Sequence, residues 1–318
     1  MPVNSLPLVS IICLCYNHKR FLAEALDSVL AQTYPNLEIV VVDDCSTDGS
    51  VGIIRQYLKN YPELKFISTG RNCGNCSAFN MGWRASHGDF LIDFATDDVL
   101  LPERVAKQVA AFQQLGSSYG VVYSDAAYIS DSGNHLYLHS QKYQAAPDGD
   151  IFAEVLRRYF ICPPTMMMRR SVLEQLNGYD ETLAYEDFDF WVRSARRYDY
   201  FYLPVLTTRR RIHTGSLSRG WYAKGNRLLD STIKVCEKAA QLVQTQAEKE
   251  ALLIRIKYEA RHAYFSGNFT QATALFALLH RAASSLPVAY ICIELLNKYK
   301  INLSVLRKFY YWLRYSNR

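Results

Sequence analysis

The 318-residue chain contains no run of the about 18 to 20 apolar residues that a membrane-spanning helix needs, so no spanning helix is expected. Residues 1–8 lack the basic start, apolar stretch and small-residue cleavage site of a signal peptide, and a cytoplasmic chain is expected. No G-x-G-x-x-G follows the first strand-like run, and no G-x-x-x-x-G-K-[ST] occurs, so phosphates would not be cradled by a glycine loop. The eight cysteines are scattered, with Cys13, Cys15 and Cys162 in apolar runs. That pattern excludes a disulfide framework and reads as reduced, buried thiols. Cys73 and Cys76 have C-x-x-C spacing, but no second Cys or His pair stands at a matching distance. A loop with free thiols is the better reading there. No RNA- or DNA-binding motif accompanies the basic residues, so no nucleic-acid partner is expected.

Hydrophobic residues make up 49% of the chain and charged residues 21%, as in ordinary folded proteins. The length suits one large domain with an appended unit. The net charge of +6 is unevenly placed. Residues 222–318 hold 15 Lys and Arg against 6 Asp and Glu, while residues 1–221 hold 21 against 24. The basic character belongs to the C-terminal part, where it would face phosphates, on anionic lipid for instance.

From Leu8 onward, short apolar runs alternate with helical patterns. Strands are predicted at 9–15, 37–42, 65–68, 90–95 and 121–129. Helices are predicted near 21–30, 51–58, 78–86 and 102–115, the last opened by Pro102. Such alternation predicts an α/β fold, a mixed, mostly parallel sheet with helices on both faces. The D-S-G-N stretch at 131–134 predicts a hairpin. Beyond Trp221 the strands stop, and residues 227–296 carry helical periodicity around a turn at Gly267, loosely of the tetratricopeptide sort. The predicted domains are 1–221 and a helical C-terminal extension, 222–318.

In an open parallel sheet, ligands bind beyond the carboxyl ends of the strands. The first strand is followed there by Tyr16-Asn17-His18, the second by Asp43-Asp44-Cys45-Ser46-Thr47-Asp48, and the strand at 90–95 by Thr96-Asp97-Asp98. Carboxylates crowded on one rim would repel a diphosphate unless a divalent cation, Mg²⁺ or Mn²⁺, sat between them, and Asp97 is the candidate ligand. Each acid also has a plain structural role open to it. Asp43, Asp44 and Asp48 would suit turns and caps, and Asp97 and Asp98 would suit capping of the next helix. Glu186 and Asp187 would complement a helix dipole ahead of a core face formed by Phe188, Trp191, Val192 and Ala195. Met166 to Met168 read as core strand, and Arg209 to Arg211 as either alternating strand charges or phosphate contacts.

Several of these stretches together resemble a known family. Val9–Ser50, with Y-N at 16–17, Q-T-Y-P at 32–35 and V-D-D-C-S-T-D at 42–48, is similar to the inverting glycosyltransferases of family 2, which have the GT-A fold. G-D-F-L-I-D-F-A-T-D-D at 88–98, followed by L-P-E-R, resembles the family's metal-binding segment. Y-E-D-F-D-F-W-V-R at 185–193 resembles its base-bearing helix start, and R-I-H-T-G-S-L-S at 211–218 its R-x-H stretch. The resemblance covers roughly residues 7–220 and not the C-terminal extension.

What the resemblance implies can be stated residue by residue. Tyr16 would flank the nucleobase and Asp44 would accept a hydrogen bond from it. Asn17, Asn80, Thr96, Asp98 and Glu186 would join the nucleotide-sugar site. Asp97 would bind the divalent cation, with His213 at the metal and Arg211 at the diphosphate. Asp187 would be the general base, and an ordinary Asp pKa would suffice for it. Two positions depart from the family pattern. Ala95 stands where an Asp is usual, so the protein's share of the metal shell would be sparse. Phe79 stands where an Arg is usual, so the diphosphate would lean on Arg71 or the 209–211 cluster.

The implied reaction is transfer of a sugar from a nucleoside diphosphate, with UDP the leading choice, to a saccharide or lipid-linked acceptor in surface-polysaccharide assembly. A nucleotidyltransferase is disfavoured, because Tyr16-Asn17-His18-Lys19-Arg20 lacks the glycines such enzymes carry after strand one. A catalytically dead relative acting through its helical tail is the competing reading, with Ala95 its best support. Residues 297–318 mix Lys298, Lys300, Arg307, Lys308, Arg314 and Arg318 with Tyr299, Leu303, Leu306, Phe309, Tyr310, Tyr311, Trp312 and Leu313. That composition suits peripheral contact at the inner face of a membrane, or a terminal helix docked on its own domain.

Overall fold

The computed structural model describes residues 6–142, 146–215, 220–223, 225, 227–283 and 285–305. In chain order the elements begin β1 (Val9–Cys15), α1 (Leu22–Leu30), β2 (Leu37–Asp43), α2 (Ser50–Asn60), β3 (Lys65–Ser68), α3 (Asn75–Arg84) and β4 (Phe90–Ala95). They continue with β5 (Val99–Leu100), α4 (Arg104–Gln114), β6 (Tyr119–Ile129), β7 (His135–Leu138), α5 (Phe152–Arg157), β8 (Met167–Arg169) and α6 (Arg170–Leu176). The last are α7 (Asp187–Ala195), β9 (Asp199–Arg211), α8 (Leu228–Leu242), α9 (Gln246–Phe265), α10 (Phe269–Ala282) and α11 (Val288–Lys298).

The first compact unit comprises residues 1–151 and 160–214. Its sheet runs β3-β2-β1-β4-β8-β6-β9-β5, with β7 added on β6. Every residue of β1 is buried, because parallel partners β2 and β4 flank it and helices cover both faces. That is why its sequence, V-S-I-I-C-L-C, reads as a nearly continuous apolar run. β8 enters antiparallel between β4 and β6, and β6 and β9 run parallel beside it. On one face, Leu22, Leu26 and Val29 of α1 join Ile54, Val105, Val109 and Phe112 over Ile11, Val41 and Ile92. On the other, α3 lies so close to β1 that a Cβ on Gly82 would fall 2.4 Å from Ile12 Cγ2. Arg104, wholly buried, knits α4 to the strands by donating to Gln108 (3.1 Å), Thr208 Oγ1 (3.0 Å) and the Met166 carbonyl (2.9 Å). Burial pulls its guanidinium down to about 9.

The second unit is helical and comprises residues 152–159 and 215–318. The boundary expected at 221 therefore falls earlier, and α5 belongs with the C-terminal helices. Arg255 on α9 explains this pairing, since its Nε donates to the Leu156 carbonyl at 3.2 Å while its Nη1 pairs with buried Glu259 at 3.2 Å. Tyr222 adds a 2.8 Å hydrogen bond to the same Glu259. A capping box between Thr245 and Glu248 starts α9, and Gly267, at φ +75°, makes the turn into α10. α11 is held to α10 on one side by Asn297, which donates to Thr273 (2.8 Å) and Phe269 O (3.2 Å).

Two local expectations need correction. α4 opens at Arg104, not Pro102, because Leu101 N–H donates to Thr207 O and the Pro102 carbonyl is taken by Thr33 N–H. Cys76 is not a loop thiol but a buried residue of α3, and its Sγ reaches Leu183 O. Leu306 to Arg318 of the basic aromatic tail, and Ser216 to Ser218 of the R-x-H stretch, lie outside the described residues. Among the described residues, no helix is long and apolar enough to cross a membrane.

Candidate active site

The parallel register of β1, β2 and β4 brings three strand ends to one rim, as the alternating pattern predicts. Asn17 locks the first two together. Its N–H donates to Ser46 Oγ (2.9 Å) and its Oδ1 accepts from Thr47 N–H (2.8 Å). This requires φ of +58°, which Asn tolerates better than most residues. Asp48 accepts from Lys19 N–H and Ser50 N–H, so it serves as turn and cap, as does Asp43 toward Ser46 N–H. Tyr16 beside them remains 45% exposed.

Asp44 is buried and holds the 69–74 loop. Its Oδ1 accepts from Cys73 N–H and Thr69 Oγ1, both at 2.9 Å, and its Oδ2 from Gly74 N–H at 2.9 Å. The Cys73 thiol also points at Oδ1 (3.1 Å), and burial together with that carboxylate pushes it up to about 11. Oδ2 keeps a lone pair beyond the Gly74 bond. Arg71 is exposed on this loop.

After β4, the turn at 96–98 carries the first cluster of charge. Asp97 Oδ2 lies 3.0 Å from His213 Nε2. Burial alone would raise the Asp97 carboxyl, but the His213 bond and the neighbouring His18 hold it below the usual value. Thr96 is fully buried; its hydroxyl donates to Leu14 O and meets His18 Nδ1 at 3.0 Å, so it orients His18 from behind the rim. Burial lowers His18, favouring the neutral ring. Asp98 accepts Arg211 N–H at 2.7 Å, and burial and adjacent Asp97 push its pKa well up.

The second cluster centres on Asp187, first residue of α7. Its Oδ1 is buried and accepts no hydrogen bond among the described residues. Burial, then the charge of Glu186, drives the Asp187 carboxyl well above the usual range; Arg210 opposes and Asp93 adds to the rise. An ordinary aspartate value is therefore not what this carboxyl has, because the start of α7 is crowded and poorly solvated. Glu186, raised by burial, accepts Asn75 Nδ2 at 2.7 Å. Asp93 accepts the Tyr179 hydroxyl at 3.1 Å and is raised by burial and Glu186. Arg210, whose Nη1 donates to Tyr128 Oη at 3.1 Å, faces both Asp98 and Asp187 and so joins the two clusters electrostatically.

Two residues expected at the donor are otherwise engaged. Asn80 is fully buried; its amide donates to Tyr179 O and Glu181 and accepts from Trp83 and Tyr179 N–H. It braces the segment leading to α7 instead of lining the rim. Arg211 is equally committed. Nε donates to Asp97 O (3.0 Å), Nη1 to Ser130 O (3.3 Å) and Asp131 O (3.1 Å), and Nη2 to Glu24 (2.5 Å). It clamps the 96–98 turn against the hairpin and stacks over Phe21. The capping role open to Asp97 and Asp98 is absent, since β5 separates them from α4. Asp93, Asn75 and Tyr179 escaped sequence reading because their parts come from packing between elements distant in the chain. Arg210 had a signal, its place in a basic triplet, but not its direction.

Comparison with known proteins follows the same lines. The sequence profile described as "Glycosyl transferase family 2" matches residues 10–176. EpsE of Bacillus subtilis (strain 168), carried under a glycosyltransferase name, is 33% identical over 195 residues, which is 60% of this chain and 68% of that protein. A glycosyltransferase of Rickettsia typhi, named as uncharacterized, is 29% identical over 209 residues, 65% of this chain and 64% of its own length. The chain thus matches about two thirds of each relative. Among solved structures, S. aureus TarS (residues 1–349) in complex with UDP-GlcNAc has a TM-score of 0.65 at 19% identity, over 92% of this chain and 88% of that one. The mannosyltransferase PcManGT from Pyrobaculum calidifontis, in complex with GDP-Man and Mn²⁺, scores 0.60 at 20% identity over 94% and 86%. The fold shared with these structures is the GT-A fold, and with more than half its length in the family's profile this chain belongs to glycosyl transferase family 2.

Proposed function

We propose that the chain is an inverting transferase that moves a sugar from a nucleoside diphosphate, UDP first among the choices, to a hydroxyl of a saccharide or lipid-linked saccharide. The setting would be surface-polysaccharide assembly at the inner face of a membrane, with the basic tail making peripheral contact. The observation that carries the chemistry is Asp187: a buried carboxylate oxygen with no donor among the described residues, electrostatically tied through Arg210 to the acids after β4. An unspent basic oxygen in a dry pocket is what an incoming hydroxyl needs in order to lose its proton.

In this reading Tyr16 flanks the nucleobase, and the free lone pair on Asp44 Oδ2 accepts its N–H. Asp44 also keeps the 69–74 loop shaped around it, leaving Arg71 available to the diphosphate. Asn17 and Thr96 set the rim, the latter through His18.

Asp97 and His213 fit a divalent cation, Mn²⁺ or Mg²⁺, in donor type: a carboxylate oxygen and an imidazole nitrogen already 3.0 Å apart on separate segments. Among the described residues, no three His, Cys, Asp or Glu side chains are grouped to hold one. The remaining ligands would be diphosphate oxygens and water, a pattern usual for Mg²⁺ at phosphate sites. When bound, the ion would neutralise charge growing on the leaving diphosphate. The complex of PcManGT with GDP-Man and Mn²⁺ and that of TarS with UDP-GlcNAc support this choice of donor and cation.

The protein's part in the transfer is then simple. The acceptor oxygen attacks the anomeric carbon from the side opposite the diphosphate, the carbon–oxygen bond to the diphosphate breaks, and the hydroxyl proton passes to Asp187. One displacement inverts the anomeric centre. Glu186, fixed by Asn75, keeps the pocket's negative field in place behind the base.

The test is a thermal-shift screen of UDP, GDP, dTDP and CMP with and without Mn²⁺, on wild type and Asp97→Ala. A cation-dependent shift for one nucleotide, lost in the variant, is expected. No shift with any nucleotide would overturn the proposal in favour of a catalytically dead relative acting through its helices.

A further inference from the structure

We propose that the outer face of α11 is a lipid-docking surface that beds into the headgroup boundary of an anionic bilayer. Val288, Ile291, Leu295 and Tyr299 are 75%, 43%, 51% and 70% exposed. Their spacing of three, four and four residues puts them on one side of the helix, where they form a continuous apolar stripe. Away from the stripe the helix is engaged with α10, through Asn297 on its opposite side and through the flanking pair of Glu294 with His280 at 2.9 Å. Exposed apolar side chains scattered singly mean little; four in register on one helix do not arise from scatter.

Charge selects the occupant. Glu294 is the last acidic residue of the chain, and it faces His280. From Lys298 to the end there are six Lys and Arg, of which Lys298 and Lys300 are exposed beside the stripe. A second copy of this face would bring like charges together, and the chain's own basic end would add positive charge to positive. An anionic lipid surface meets both requirements at once. It accepts the apolar side chains and the Tyr299 ring at the acyl boundary, and it neutralises the lysines. The inference rests on the membrane-contact part of the proposed function and extends it from the tail back onto the face of α11.

The experiment uses the full chain with vesicles of phosphatidylcholine alone or mixed with phosphatidylglycerol. Co-sedimentation is measured for wild type and for Ile291→Asp/Leu295→Asp, whose exposed positions leave the fold and the nucleotide response intact. The expected result is salt-sensitive binding to the mixed vesicles over the neutral ones, weakened about tenfold or more in the double variant. A polarity-sensitive fluorophore on Cys292, exposed on the same face, would shift to the blue only with anionic vesicles. Equal binding by both proteins would overturn the inference while leaving membrane contact to the tail. No binding by wild type would overturn both. A wild-type dimer dissolved by the double substitution would name a second copy as occupant, and a blue-shifted probe without lipid would name the chain's own end; either result overturns the proposal.

Discussion

Arg211→Ala separates two roles for one residue, a ligand of the diphosphate or a clamp of the 96–98 turn. The arginine is 5% exposed, and its side chain donates to the Asp97, Ser130 and Asp131 carbonyls, to Glu24, and stacks over Phe21 at 4.8 Å. The Glu24 carboxylate is 52% exposed, so solvent screening leaves that ion pair about 0.5 kcal/mol or less. Charge-assisted bonds to the carbonyls contribute about 1 kcal/mol or more each, and the ring stacking about 0.5 to 1. Truncation should therefore cost about 3 to 5 kcal/mol. For a folding unit of this size, at about 2 to 4 °C per kcal/mol, the melting temperature should fall by about 10 °C. Arg211→Lys should recover only part of this, because a point charge cannot reach three carbonyls at once. Glu24→Gln should change little. Scanning fluorimetry with and without nucleotide provides the assay. An Arg211→Ala protein that melts with wild type yet loses its nucleotide response would refute the clamp and restore the ligand role.

Four further outcomes are expected. Asp187→Asn should lower transfer about 10²- to 10⁴-fold, measured with labelled donor, if the variant loses the proposed proton acceptor. The same variant should melt higher than wild type at pH 8, with the gap narrowing at pH 5. The folded-state pKa of Asp187 is raised, so its contribution is favourable below the unfolded pKa and is lost as pH rises through the folded one. For the same reason the acid limb of the kcat profile should lie above the range of an unperturbed aspartate; a profile flat down to pH 4.5 would contradict it. Gly178→Ala should destabilise by about 2 to 4 kcal/mol in urea unfolding. Its φ is +76° and a Cβ there would sit 2.3 Å from Asn80 Oδ1.

Sequence reading reached the parts whose information is local. β1 was legible to the residue because a parallel strand covered on both faces is apolar throughout, and the shorter apolar runs of β3 and β4 sufficed to place them. The strand-end motifs were legible because sheet direction decides which ends carry chemistry. β5 and β8, of two and three residues, were not, since partners across the sheet define them more than their own composition. The place of α5 with the C-terminal helices depends on one arginine about a hundred positions away. Asn80 and Arg211 show the limit for site residues: type and position in a motif suggest a ligand, but only packing reveals that the hydrogen bonds are already spent. The raised pKa of Asp187 was invisible for the same reason, because Asp93, Glu186 and Arg210 converge from three elements.

Helix α3 has a consequence for how such a protein changes over time. Its first turn adjoins Gly74, which Asp44 holds; its Asn75 holds Glu186, and its Asn80 holds Tyr179 and Glu181 ahead of the base. One ten-residue rod therefore spans from the Asp44 loop to the segment that carries Glu186 and Asp187. Under the proposed roles, drift that reshaped the 69–74 loop for a different nucleotide would drag Asp187 with it. The two proposed functions, donor recognition and acceptor activation, would then be inherited as a linked pair, and new donor specificity would arise more readily through the exposed Tyr16 and Arg71 than through the helix.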